Sequence, residues 1–243
     1  ALGEVMAPSK KAGELSAGAK TFVRKEFCRD VLGFREDISS PAMEKGITCE
    51  QDSIELYNTV HFTNWQKNTD RIKNDWITGE CDIFTGDTVI DIKSSWSLTT
   101  FPLLASMGEN SGYEWQLRAY MMLWGCPSAV LAYCMVSTPE HLIRWEDPSI
   151  HAVDHIDPVK RVTRLFYERD AEKEKAIIER VQLCRDYYNQ LADEYGRLFS
   201  ISYNRDRCSC PCERHVEQAA LFSVLKPFGR WENEFQKWVV HDL

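Results

Sequence analysis

The sequence predicts an α/β (α+β) protein, a central mixed β-sheet flanked by helices with a helical C-terminal extension. Three observations predict it. Residues 76–84 and 88–93 read as two short strands around a tight turn. Residues 128–137 are almost all apolar and rich in small and β-branched side chains, as in a strand covered on both faces. Helical periodicity in 43–66, 112–125 and 159–199 supplies the covering layers.

In chain order, residues 1–20 are rich in Ala, Gly, Ser and Lys and are expected to be a flexible N-terminus. Residues 21–158 are expected to form the core, and 159–243 a helical region packing on it. The stretch 21–32 predicts a helix with Arg24, Lys25 and Arg29 on it, ended by Gly33. Ser39-Ser40-Pro41 carries a cap residue and a proline for the next helix start. That helix is predicted over 43–66, with Ile47, Glu50, Ile54, Tyr57 and His61 on one face. Glu50 therefore falls on an apolar stripe, where a carboxylate needs a metal or a lysine as partner.

The hairpin follows a polar connector. Thr85-Gly86-Asp87 suits its turn, because Gly accepts positive φ and Asp bonds its local backbone. Side chains alternate along a strand, so Asp91 and Lys93 project from one face, with Asp82 near Asp91 across the pair. Two carboxylates and a lysine at one hairpin end repel unless a cation joins them, and Mg²⁺ is the usual one. A solvated edge with scattered charges is the plain alternative.

Residues 94–112 read as a long loop around Trp96 and Phe101 that begins at this cluster. The helix 112–125 puts Tyr113, Gln116, Leu117, Tyr120 and Trp124 on one side, with Gln116 and Tyr120 one turn apart. A further short strand is expected at 142–145, and turns at 147–158. Within 159–199, Ile177, Val181, Cys184, Tyr188, Leu191, Tyr195 and Leu198 form a narrow seam for packing against the body or a partner. Cys208, Cys210, Cys212 and His215 have metal-ligand chemistry, but single-residue gaps differ from common zinc spacings. Trp231, Phe235 and Trp238 share a face of a predicted terminal helix.

Composition narrows the function classes. A hydrophobic content of 44% can fill a core. No apolar run reaches about 18 residues and the first residues lack an apolar signal core, so neither a membrane helix nor membrane binding is expected. Nine Cys without framework spacing fit a reducing compartment, so a cytoplasmic location is expected, the host cytoplasm if a phage encodes the chain. The formal charge of −8 argues against a basic coat, yet a local basic groove for nucleic acid is compatible with it.

Taken in order, these residues resemble the PD-(D/E)xK nuclease superfamily, in its RecB-like and lambda-exonuclease-like (YqaJ-type) branch of phage recombination nucleases. The helix motif with Gly and Glu is matched by Gly46-Ile47-Thr48-Cys49-Glu50. The strand-end Asp and the acidic-x-Lys strand are matched by Asp82 and Asp91-Ile92-Lys93, and Gln-x₃-Tyr by Gln116 to Tyr120. The resemblance covers about 40–137. It departs from many phage exonucleases in having Asp91 where they often carry Glu. Cys28 and the Cys208–Cys212 group stand where some relatives bind an iron–sulfur cluster, but their spacing does not match and no cluster is expected.

The resemblance implies a restriction-endonuclease-like core and a Mg²⁺- or Mn²⁺-dependent DNA nuclease. Asp82, Asp91 and the Ile92 carbonyl would hold the ion, and Glu50 would orient a water or hold a second ion. Lys93 would position the attacking water and stabilise developing charge. Gln116 and Tyr120 would hold the DNA backbone or support the ligands, and Ser94 and Ser95 would contact phosphate. Arg24, Lys25, Arg29, Lys45 and Arg118 are candidate DNA-facing cations. An exonuclease of phage-type recombination or repair is expected, with DNA, a homo-oligomer and a single-strand annealing or recombination protein as partners. The alternatives are an endonuclease, a CRISPR-adaptation-type nuclease, and a catalytically silent binding or interaction module of the same fold.

Overall fold

Strand β5 (Ser128–Cys134) is the axis of the sheet, and the structure, a computed structural model, describes residues 2–33 and 39–205. Its run of small and β-branched residues is buried on both faces, as a central strand requires. It pairs in parallel with β4 (Thr88–Ser94) from Thr88↔Ser128 to Ser94↔Cys134. On its other side β6 (Val162–Glu168) runs antiparallel, from Ser128↔Glu168 to Cys134↔Val162. Strand β3 (Ile83–Phe84) pairs antiparallel with β4 through Ile83↔Ile90 and Phe84↔Val89, giving the order β3-β4-β5-β6. Strands β1 (Ile72–Lys73) and β2 (Thr78–Gly79) form a separate two-stranded piece.

Parallel neighbours need a crossover, and helix α5 (Ser111–Trp124) lies in it. The Asn110 side chain caps it by accepting from Gly112 N and Tyr113 N, and Gly125 ends it at φ 66. Leu117, Tyr120 and Met121 of α5 pack with Val89, Ala129 and Leu131. On the opposite face, Ile54, Leu56 and Tyr57 of α4 (Glu50–His61) pack with Ile83, Ile90, Ile92, Val130 and Ala132. Alternation then puts Asp91 and Lys93 on the α5 side of β4, with Val89.

Helix α2 (Ala17–Leu32) ends at Gly33, as expected from sequence, and starts one turn earlier than expected, at a Ser16 cap. The seam of α7 (Ala171–Arg205) packs on the body. Ile177 and Val181 enter the cluster under α5, while Cys184 and Tyr188 pack with Ala19 and Val23 of α2. Burying each aliphatic side chain of this kind contributes about 1.5–3 kcal/mol.

Several expectations are corrected. Residues 1–20 were expected to be flexible, but they include α1 (Leu2–Met6), whose Leu2, Val5 and Met6 are buried, and the start of α2. Apolar burial outweighs the composition of that segment. The helix expected over 43–66 is two helices, α3 (Pro41–Thr48) and α4, broken at Cys49 with φ −101 and ψ 12. The strand expected over 76–84 is interrupted at 80–82, because Asn68 takes the Asp82 and Cys81 carbonyls. Residues 159–199 are not helical throughout. Strand β6 occupies their start, and α7 begins only where Asp170 Oδ1 accepts from Glu172 N and Lys173 N. The core sheet therefore runs past the boundary at 158. Residues 142–145 are not a strand; α6 (Glu140–Ile143) takes the first two of them. Cys208, Cys210, Cys212, His215 and the aromatic tail lie outside the described residues.

Candidate active site

Strand β4 delivers two of the expected groups together. Asp91 is fully buried, and Lys93 Nζ is paired with it, 3.0 Å from Oδ2 and hydrogen-bonded to Oδ1 at 3.3 Å. The Lys93 ammonium also lies 4.9 Å from the centre of the Tyr113 ring on α5. Asp82 precedes β3. Continuing the Ile83↔Ile90 register by one residue sets it opposite Asp91. Its Oδ2 accepts from the Ile92 backbone N–H at 2.5 Å.

Glu50 belongs to the other layer. It is the first residue of α4, just after the Cys49 break. Within α4 it keeps its spacing with buried Ile54 and Tyr57, at the rim of that face with its side chain 25% exposed, while Ile47, across the break, is 78% exposed. The break turns Glu50 to Lys67, whose Nζ donates to Glu50 Oε2. That hydrogen bond is the main reason the Lys67 pKa is raised, with further contributions from the charges of Glu50, Asp82 and Glu80. Lys67 thus stands in the converging field of three carboxylates.

Two further contacts join the Glu50 helices to the end of β4. Ser53 Oγ lies 2.7 Å from Ser94 Oγ. Lys45 of α3, only 1% exposed, donates to the carbonyls of Ser95 at 2.6 Å, Trp96 at 3.1 Å and Val136 at 2.8 Å. Burial pushes its pKa down to about 8. The Trp96 carbonyl also accepts from Thr138 Oγ1 at 2.9 Å and lies 3.2 Å from His151 Nδ1. Glu146 closes this network, accepting from Trp96 Nε1 at 2.9 Å and lying 3.3 Å from His151 Nε2.

The remaining expected site residues divide. Gln116 Nε2 donates to Tyr120 Oη at 2.9 Å. Tyr120 is fully buried, so it supports Gln116 and does not meet a ligand directly. Ser94 is half-buried, whereas Ser95 is buried and its carbonyl is taken by Lys45. Among the expected DNA-facing cations, Lys45 is buried and Arg118 is held by Glu114 and the Glu168 carbonyl. Arg24 donates to Tyr187 Oη, Arg29 pairs with Glu26, and Lys25 is exposed. Sequence reasoning missed Lys67, Ser53 and the Trp96–Glu146–His151 network, and took Lys45, a buried donor to three carbonyls, as a DNA-facing cation. A basic residue on the inner side of α3 was the one available signal.

The carboxylate oxygens of Asp82, Asp91 and Glu50 are donors of the kind that suit a hard divalent ion. Lys67 is the cation that pairs with Glu50 here. Among the described residues no three His, Cys, Asp or Glu side chains are arranged to surround one ion. Asp82 is turned to the Ile92 N–H and Glu50 to Lys67, which accounts for that arrangement.

No family model and no curated protein matches the chain. Solved structures do. A phage-related exonuclease from Haemophilus somnus 129PT is 30% identical with a TM-score of 0.75, over 80% of this chain and 93% of that one. An alkaline exonuclease from Laribacter hongkongensis is 15% identical with a TM-score of 0.57, over 81% and 93%. Its complex with dAMP is 18% identical with a TM-score of 0.58, over 81% and 91%. The latter two share the fold.

Proposed function

The chain belongs to the lambda-exonuclease-like (YqaJ-type) family of PD-(D/E)xK nucleases, and on that footing we propose that it is a Mg²⁺- or Mn²⁺-dependent exonuclease that hydrolyses DNA from its ends, in recombination or repair of the phage type. The observation that carries this reading is the Asp91–Lys93 pair on β4, with Asp82 opposite it. Asp91, Asp82 and the Ile92 carbonyl would hold the ion, with Glu50 beside them. When bound, a divalent ion there supplies charge stabilisation to the phosphate and a more acidic water.

The chain's own groups do the rest. Lys93, fixed between Asp91 and the Tyr113 ring, presents its ammonium at one defined point, where it orients the attacking water and offsets charge on the phosphate oxygens. Gln116, braced by buried Tyr120, holds the substrate backbone or a ligand carboxylate. Glu50 orients the water from the α4 side. Ser94, joined to Ser53, offers a hydroxyl at the strand end.

A net charge of −8 gives poor long-range attraction to duplex DNA, which favours capture of an end over side-on binding. Linear duplex and covalently closed circles of one sequence, incubated with Mg²⁺ and with chelator, test the reading. Linear DNA is expected to be degraded only with the metal, and the circle to survive. Cleavage of the circle at the linear rate refutes the requirement for an end, and undiminished cleavage in excess chelator refutes the metal.

A further inference from the structure

Lys67 lies on the connector between α4 and β1, and that connector is fastened on both sides of it. Before it, the Asn58 side chain at the end of α4 holds Trp65, donating to its carbonyl at 2.9 Å and accepting from its N–H at 3.0 Å. After it, Asn68 N donates to the Asp82 carbonyl at 2.7 Å and Asn68 Nδ2 to the Cys81 carbonyl at 3.0 Å. An extended lysine on an unfastened loop would lose much side-chain and backbone freedom on pairing. Here the backbone is already held, so the ammonium is delivered to Glu50 at reduced entropic cost.

We propose that Lys67 is a built-in counter-cation of the carboxylate site: it occupies Glu50 in the metal-free chain, must leave when Glu50 turns to a divalent ion, and so sets how tightly that ion binds. The inference rests on the metal-dependent reading above. Asp82 stays close to its strand position through the Ile92 N–H, and Asp91 is enclosed in the sheet. Glu50 is the carboxylate at a helix start, half-buried and held by a side chain that is itself 43% exposed. It is therefore the member of the set that can change partners without opening the sheet. A ligand that competes with an internal ion pair binds more weakly by the worth of that pair.

Calorimetric titration with Mn²⁺ tests this on the wild type, Lys67→Gln, Glu50→Gln and the double variant. Lys67→Gln keeps a polar side chain on an exposed connector. It is expected to bind Mn²⁺ roughly fivefold more tightly, the scale of a partly exposed ion pair. In the Glu50→Gln background the same change is expected to give no gain. Unchanged or weaker binding by Lys67→Gln overturns the proposal. An equal gain in the Glu50→Gln background also overturns it, since the effect would then be general field and not competition at Glu50. Absence of Mn²⁺ binding by every form, wild type included, overturns the metal-dependent reading itself and the proposal with it.

Discussion

The Asp82 carboxylate accepts a hydrogen bond from the backbone N–H of Ile92, at 2.5 Å. One side chain thus fastens the segment before β3 to β4 and places its charge beside Asp91. The two tasks separate by mutation. Asp82→Asn keeps an oxygen acceptor for Ile92 N but loses the charge. It is expected to keep wild-type stability within about 1 kcal/mol and to lose Mn²⁺ binding. Asp82→Ala leaves the Ile92 N–H unsatisfied in the sheet and is expected to lose a further 1–3 kcal/mol or so. Urea unfolding of both variants reads this; equal stabilities would mean that the hydrogen bond contributes nothing.

Asp91 and Lys93 are expected to fail differently. Asp91→Asn should lose both metal binding and activity, because the buried carboxylate is the proposed ligand. Lys93→Ala should lose activity, about a hundredfold or more for an electrostatic group at the reacting phosphate, while Mn²⁺ binding is retained. Calorimetry alongside single-turnover cleavage decides it. Parallel loss of binding in both variants would show that the roles are misassigned.

Lys45 gives a pH test of stability. Its folded pKa is lowered by burial to about 8, against an ordinary value of 10.5. Between those values the unfolded chain binds the proton that the folded chain has released. Stability from this group is therefore lowest below pH 8 and increases as pH rises toward 10.5. Lys45→Met cannot titrate. The difference in urea midpoint between wild type and Lys45→Met should move in favour of wild type from about pH 7.5 to about pH 10.5. A flat difference across that range would place the ammonium's titration elsewhere.

Gly3 fixes a close approach. A Cβ built there would lie 2.7 Å from Gly112 Cα, a backbone atom at the start of α5. Gly3→Ala must push α1 away from α5 and is expected to cost about 1–3 kcal/mol, as overpacking does. Tyr113, the next residue of α5, stacks on Lys93, so cleavage should fall as well. Thermal melting and single-turnover rates check the two halves. A wild-type melting temperature would mean that α1 does not bear on α5.

Much of the site was legible because its spacing follows strand geometry. Asp91 and Lys93 are two apart on a strand, and that alone puts them on one face. The central strand β5 was legible from its apolar run, and Gly33 marked a helix end as a C-terminal glycine does. The failures came from long-range contacts that local pattern does not encode. The break at Cys49 follows a residue, Lys45, whose side chain is held by carbonyls just past the ends of β4 and β5, distant in sequence. Strand β6 has β-branched and aromatic residues, but it borders a long helix and owes its place to pairing with β5. Lys67 read as one charge on a polar connector. Only the fastening of Asn58 and Asn68 shows where its ammonium goes.

Asp91 and Lys93 stand on a strand paired with β5 along its whole length and with β3 at Val89 and Ile90, and covered by α4 and α5. Amides of β4 should therefore exchange with solvent only when the whole sheet opens, at close to the global unfolding free energy. The floor of the site and the fold melt as one unit. Glu50 and Lys67 belong to a different unit, a helix start and a connector whose pairing can open by local fluctuation. Activity that fades on warming before the sheet melts would thus begin at Glu50, and deuterium uptake around 50 and 67 should rise ahead of that at 91 and 93.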